Sequence, residues 1–193
     1  MTPDAADQRG VPSIAEVGPG MMEHGIAIAA VTEALWNLLQ RELDPVLPGI
    51  RITARSPNKA RDDGGGRQLN LFLYQVTEDR LGTNVGHGAE NRTRLSLNLY
   101  YLVSAYGPDD HEMNSACHAV LTEAMRVLHD HPVVFLGQQR NMNPTPIHVA
   151  LHPLTLDDLS KLWAAFQTPY QLSVAYEVSS VLVGGARQAQ LSG

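Results

Sequence analysis

The segment RLSLNLYYLVSAYG, residues 94–107, constrains the fold more than any other part of the sequence. Every second residue from Leu95 to Ala105 is apolar, an alternation that is typical of a long β-strand with one face in a core. The intervening set begins and ends with serine but carries Tyr100 and Leu102 in its middle. The second face of this strand is therefore too apolar to lie bare in water, and something must cover it.

Further strands are predicted from apolar runs in five other segments, which are IRITAR (50–55), QLNLFLYQV (68–76), VVFL (133–136), IHVAL (147–151) and QLSVAYEVSSVLV (171–183). QLNLFLYQV is apolar on both faces, which predicts a position in the middle of a sheet. VVFL and IHVAL give the weakest signals and count as one or two strands. The alternation of the last segment breaks at Ser179-Ser180, which indicates a β-bulge.

Three segments show the spacing of three and four residues that is typical of amphipathic helices. The first begins near Gly25 and ends at Asp44-Pro45, because the residue before a proline is pushed out of the helical conformation. The third opens with a capping box, in which Thr155 is the cap and Asp158 follows three residues later. The three apolar stripes comprise Ile28, Val31, Leu35 and Leu38; Met113, Cys117, Val120, Ala124 and Val127; and Leu156, Leu159, Trp163 and Phe166.

This order of elements predicts an α+β fold with a single, mostly antiparallel sheet of about four to five strands flanked by about three helices. Residues 21–183 are expected to form one domain. Residues 1–20 are expected to be a flexible N-terminal arm, and residues 184–193 a polar C-terminal tail. Two polar loops, residues 56–67 and 78–93, interrupt the strands. The first combines proline, consecutive glycines and mixed charge, so nothing in it is expected to pack.

Charge and cysteine content exclude several classes of protein. The 193 residues carry a net charge of −6 and an isoelectric point near 5.7, whereas binding to nucleic acid requires a basic surface. No apolar run approaches the roughly 20 residues of a membrane-spanning helix, and the N-terminus lacks the features of a signal peptide. Because Cys117 is the only cysteine, no internal disulfide can form. Together these features predict synthesis in a reducing cytoplasm, without association with a membrane.

No residue pattern calls for catalysis, a cofactor or a metal. The glycine run at residues 64–66 lacks the lysine and the helix of a phosphate loop. His148 and His152 lie on one predicted strand, roughly 13 Å apart, which is too far to share one ion. Cys117 lies in an apolar helical stripe and is expected to be a buried, inert thiol. A small enzyme that uses scattered His and Asp residues remains the alternative, and it would predict a deep pocket with perturbed ionisable groups.

Two features indicate association with a partner. Five cations lie in a short span of this acidic protein. This span is either a solvated loop or a docking patch for an acidic surface. The second face of the sheet is apolar enough to pack against another chain, unless the arm, the loops or a helix of the same chain covers it. The five cations are Arg51, Arg55, Lys59, Arg61 and Arg67, and the second face is expected to carry Phe72, Tyr74, Val76, Tyr100 and Leu102.

Four segments occur in a characteristic order, which is FLYQVTE (72–78), LSLNLYYLVSAYG (95–107), MRVLHDHPV (125–133) and DLSKLWAAFQTPYQLSVAYEVSSVLV (158–183). From about Gly25 to Val183 the chain resembles the domain at the N-terminus of the cap, or tail-terminator, proteins of phage-tail-like extracellular contractile injection systems. The resemblance implies a fold like that of phage tail-terminator proteins, with a sheet flanked by helices.

The resemblance also implies a structural role without catalysis. The domain would form a six-fold ring at the membrane-distal end of a rigid tube and its contractile sheath, where it would halt polymerisation and hold the last sheath layer. Its partners would be further copies of itself and the sheath and tube proteins. The protein would be made in the cytoplasm and built into the particle. A closed ring would cover the second face of each copy with its neighbour or with the next ring.

In such a ring the two polar loops are expected at the working surface, because loops longer than about 12 residues are usually functional or disordered. They would be mobile in the isolated protein and ordered on the particle, with their cations against acidic sheath or tube surfaces. A monomeric adaptor that binds one peptide at a sheet edge is a further alternative. The candidate partner-binding residues are Arg55, Lys59, Arg61, Arg67, Arg80, Arg92 and Arg94, and the candidate subunit-packing residues are Phe72, Tyr74, Val76, Tyr100 and Leu102.

Overall fold

The computed structural model describes five stretches of the chain, which are residues 26–62, 64–79, 95–108, 115–137 and 144–183. The predictions for the N-terminal arm, the C-terminal tail and most of the second polar loop lie outside these residues. The same holds for four residues singled out above, which are Arg80, Arg92, Arg94 and Met113.

The described residues form three α-helices and one sheet of six strands in the order β1-β2-β3-β6-β5-β4. The helices are α1 (Ile26–Leu43), α2 (Ser115–Asp130) and α3 (Leu156–Ala165). The strands are β1 (Arg51–Thr53), β2 (Gln68–Glu78), β3 (Leu95–Tyr106), β4 (Val133–Leu136), β5 (Thr145–His152) and β6 (Ser173–Val183). β1 pairs with β2 in parallel, and the other pairs are antiparallel. None of the described helices is long and apolar enough to cross a bilayer.

The α+β class, the helices and the internal position of β2 are confirmed, but the strand count of four to five is too low. Both weak segments form strands, and β4 pairs with β5 through Val134 and Ile147 at the edge of the sheet. Their signal was weak because β4 has only 4 residues and β5 contains Pro146. Proline is tolerated in edge regions of sheets, so it weakened the sequence pattern without preventing the strand.

The first face of the sheet carries the main core. Leu99, Tyr101 and Val103 on β3 are fully buried beneath α1 and α2. The hydroxyl groups of Thr32 and Tyr101 lie 2.7 Å apart, and the indole Nε1 of Trp36 donates to the carbonyl of Ile52 over 2.9 Å. These two bonds fix α1 across β3 and β1, while apolar burial supplies most of the stabilisation.

Two β-bulges shift the alternation of side chains. The pairing of β3 with β6 slips opposite Ser180, whose φ of 65° is left-handed, so the bulge predicted there is confirmed. A second bulge in β2 skips Tyr74, and beyond it Val76 pairs with Leu99 on the first face. The expectation that Val76 belongs to the second face is therefore wrong, because one inserted residue reverses the faces of those that follow.

The second face is covered at one end by α3. Its capping box is confirmed, with reciprocal bonds between Thr155 and Asp158. Trp163 is buried and donates its indole N–H to the hydroxyl of Ser173 over 3.2 Å. Leu156 is 72% exposed, so its predicted place in the packed stripe is wrong. It occupies the first helical turn, on the side that faces solvent.

Candidate interaction surface

The segment between β1 and β2, residues 54–67, is described except at residue 63. Its described residues fold back over the second face and form a lid on its β1–β2 end. It contains a short 3-10 turn, Pro57–Lys59, and the side chains of Pro57 and Ala60 are buried. The expectation that nothing in this loop packs is wrong. Proline fixes the first residue of the turn, and the small side chain of Ala60 lets the turn approach the sheet.

Buried polar side chains of the sheet hold this segment through its backbone. The amide of Asn70 donates to the carbonyl of Arg55 over 2.9 Å and accepts from the backbone N–H of Arg55 over 3.0 Å. The amide of Gln68 donates to Thr53 over 2.8 Å and to the carbonyl of Ala60 over 2.5 Å. The polar residues Gln68 and Asn70 in the apolar first half of β2 were the sequence signal of this network, because buried amides require partners.

Two arginines of the same region hold the segment through hydrogen bonds to its backbone carbonyls. Arg51 donates to the carbonyl of Gly64 and to the side chain of Gln68, both over 2.7 Å. Arg61 donates to the carbonyl of Gly66 over 2.8 Å, and its guanidinium lies 5.5 Å from the ring centroid of Tyr106. Such a cation–π contact stabilises the turn. Arg61 therefore has a structural task in the isolated chain.

The remaining predicted cations of the segment differ in exposure. Arg55 is half-buried, whereas Lys59 and Arg67 are exposed. A partner can therefore reach the head groups of Lys59 and Arg67 without rearranging the segment. We call this pair the basic tip.

At the other end of the second face, beyond α3, a group of aromatic and ionisable side chains is only half-buried. The ring centroids of Tyr74 and Tyr100 are 6.2 Å apart, and those of Tyr100 and His152 are 4.9 Å apart. Nδ1 of His152 lies 3.9 Å from a carboxylate oxygen of Glu177. We call these four residues the aromatic–acidic patch.

Carboxylates lie in and beside this patch. Burial raises the pKa of Tyr74 above its ordinary value, and Tyr100, Glu177 and Asp158 raise it further. Hydrogen bonds from Thr155 lower the pKa of Asp158, so that carboxylate remains ionised beside the patch. A carboxylate next to aromatic faces is the environment that favours a cationic side chain.

The predicted subunit-packing face is only partly open. Leu102 is fully buried, and Phe72 lies against Phe166 of α3, with ring centroids 5.4 Å apart. The structure therefore leaves Phe72, Tyr74 and Tyr100 as the half-buried members of that set on the second face. The helix α3 covers part of this face through the contact with Phe72, which is one of the alternatives left open by the sequence.

Two apolar residues that the sequence did not mark extend the open surface. Val133 and Phe135 are 37% and 50% exposed on the edge strand β4. Val133 pairs with His148 and Phe135 with Pro146, on the side of the sheet that carries the patch. The short run VVFL gave no alternation from which their direction could be read. Exposed apolar residues that adjoin one another are typical of association surfaces.

An open depression also lies on the opposite side, between α2 and β5. Its lining includes Met125, Leu128 and Leu151, together with Arg126 and His129. The depression therefore offers mainly apolar contact. Among the described residues, no group of three or more His, Cys, Asp or Glu side chains is placed to hold a metal ion.

A six-stranded mixed sheet with two helices on one face and one on the other defines the structural class. Within that class, the model of the family described as Pvc16 N-terminal domain matches residues 30–192, so the chain belongs to this family. No curated protein matches the chain in sequence.

Two solved structures share the fold. The chain is similar to the sheath/tube terminator, in the extended state, of an extracellular contractile injection system, with 20% identity over 84% of this chain and a TM-score of 0.57. It is also similar to the tube-terminating cap of the anti-feeding prophage, with 15% identity over 87% of this chain and a TM-score of 0.62. In both comparisons the chain spans 58% of the length of the other protein.

Proposed function

We propose that this chain is a structural cap, or tail terminator, of a contractile phage-tail-like injection particle. The observation that carries the proposal is the fold match over 84% and 87% of the chain to two proteins that end tubes, within a family match over residues 30–192. In this role the chain ends the tube and sheath and performs no catalysis. Its partners are the sheath and tube proteins and further copies of itself.

The copies form a closed ring, with six copies as the expected number. The open end of the second face supports this assembly, because Tyr74, Tyr100, Val133 and Phe135 together leave apolar surface available to a partner. Rings arise when one surface of a subunit binds a different surface of the next and the rotation closes. The protein is made in the cytoplasm and incorporated into the particle.

The proposal is tested by the length of the tails in particles from producing cells. Cells that lack this gene are expected to make tubes and sheaths of broadly distributed or excessive length, and restoring the gene is expected to return a uniform length. A matched strain that expresses the chain with Trp163→Ala, which is expected to be destabilised, should resemble the deletion. Uniform tails in the deletion strain would contradict the proposed function.

A further inference from the structure

We propose that copies of this chain join head to tail, with the basic tip of one copy bound on the aromatic–acidic patch of the next. The basic tip is Lys59 and Arg67, and the patch is Tyr74, Tyr100, His152 and Glu177. This inference rests on the proposed function for its setting in a ring, and it adds the two surfaces that meet.

The basic tip and the patch lie at opposite ends of β2. Arg67 precedes Gln68, the first residue of that strand, and Tyr74 lies six residues further along it. At about 3.3 Å per residue this separation is about 20 Å, farther than a side chain reaches. The cations of the basic tip therefore cannot bind the patch of the same copy. A contact between two different surfaces is heterologous, and it generates a ring or a fibre.

The chemistry of the patch suits a guanidinium or an ammonium group. Phenol rings attract cations, and both rings of the patch are half-buried rather than enclosed. The carboxylate of Glu177 is 31% exposed, which leaves it accessible to a donor from outside. The same chain already uses this chemistry internally, where the guanidinium of Arg61 lies over Tyr106. A cation from a neighbouring copy would repeat that contact between subunits.

Local charge, rather than net charge, favours a second copy as the occupant. Each chain carries a net charge of −6, so copies repel one another unless opposite charges meet locally. The basic tip is exposed within a cation-rich segment, while Glu177 and Asp158 give the patch the opposite sign. The exposed apolar residues Val133 and Phe135 lie on the same side of the sheet, nearer to its β4 edge.

Cross-linking of mixed variants tests the contact in the full chain. Asn58→Cys marks the basic tip, and Ala150→Cys marks the patch, because Ala150 is the register partner of Glu177. The native Cys117 is buried. With a short bismaleimide at low ionic strength, we expect linked dimers when the two variants are mixed and none with either variant alone. Links within a single variant, or no links in the mixture, would overturn the proposal.

Charge reversal supplies an independent test by light scattering of the full chain. Glu177→Lys and Arg67→Glu are each expected to weaken association about tenfold, and the double variant is expected to recover most of the loss. Arg126→Glu is the matched control, since Arg126 lies on α2, away from both surfaces, and its reversal should leave association unchanged. If Glu177→Lys does not fold, Glu177→Gln keeps the shape and should still weaken association.

The outcomes separate this contact from the proposed function. Association that is unaffected by both reversals, or a chain that stays monomeric at all concentrations, overturns the head-to-tail contact. The proposed function is then tested by tail length alone. Reversals that leave self-association intact but abolish uniform tails would assign the basic tip to the tube or sheath and overturn the contact between copies.

Discussion

The two faces of the sheet differ in how completely they are covered. On the first face, α1 and α2 bury a continuous core in which Leu99, Tyr101 and Val103 have no exposed surface. On the second face, α3 and the segment 54–67 cover one end, and the aromatic–acidic patch is left half-buried. The first face therefore carries the larger core, and the half-buried end of the second face is where we propose that a partner binds.

Adjacent tyrosines on β3 show the difference at a single step along the chain. Tyr101 is fully buried on the first face, where burial raises its pKa to about 12 and the bond to Thr32 offsets part of that rise. Tyr100 is half-buried on the second face, with its ring against Tyr74 and His152. The first tyrosine is enclosed by its own chain, and the second is accessible to a partner.

The largest expected effect tests whether the covered end of the second face is a true core. Trp163→Ala should lower the free energy of unfolding by about 3–5 kcal/mol, because it empties a buried site and leaves Ser173 without its donor. Leu156→Ala in the same helix is the control and should change it by no more than about 0.5 kcal/mol, since Leu156 is 72% exposed. Denaturant unfolding measures both, and equal midpoints would contradict the placement of Trp163.

The next effect concerns pH and the first face. The pKa of Tyr101 is raised from 10.0 to about 12 in the folded state, so the unfolded chain loses this proton first. The contribution of Tyr101 to the free energy of unfolding is fully present below pH 10. It falls by roughly 2–3 kcal/mol as the pH rises towards 12. Tyr101→Phe should lower stability at neutral pH but remove this part of the alkaline loss. An unchanged alkaline slope in that variant would show that Tyr101 is not the group responsible.

A smaller effect tests the lid formed by residues 54–67. Asn70→Ala should cost about 1–3 kcal/mol, because the backbone groups of Arg55 and the hydroxyl of Thr53 lose a buried partner. Hydrogen exchange at residues 54–60 should accelerate more than in β3. Asn58→Ala is the exposed control and should leave exchange as it is in the parent. Slow exchange of the segment in the Asn70 variant would mean that other contacts hold it.

The smallest effect lies at the start of α3, beside the patch. Thr155→Ala should cost about 1 kcal/mol, because it removes the cap of the helix. The pKa of Asp158 is lowered in the fold chiefly by Thr155, so stability from this pair is present at neutral pH and is lost as the pH falls through the folded pKa. Ser160→Ala in the same helix should change stability by no more than about 0.5 kcal/mol. Parallel acid unfolding curves for Thr155→Ala and the parent would contradict this role.

Much of the first face was predictable from periodicity. The alternation of β3 and the stripes of α1 and α2 each recorded one buried face, and the break at Ser179-Ser180 marked a bulge that the register confirms. These features are local, because the order of apolar and polar residues within one strand or helix shows which of its sides is buried. The capping box at Thr155 was readable for the same reason.

The open surface was harder to predict, because it depends on contacts between distant segments. The bulge at Tyr74 lies in a strand that is apolar on both faces, so no break in the pattern revealed that Val76 changes side. The segment 54–67 has the composition of a solvated loop, and its position depends on partners outside it, among them the amides of Gln68 and Asn70 beneath it. The exposure of Phe135 follows from the place of β4 at the edge, which the sequence does not encode locally.

Cryo-electron microscopy of particles that carry an affinity label on this chain tests most directly whether the chain closes one end of the tube, as we propose. We expect one ring of label at a single end of the tube, with the basic tip of each copy facing the aromatic–acidic patch of its neighbour. Label that is spread along the tube or sheath, or that is absent from particles with uniform tails, would contradict it.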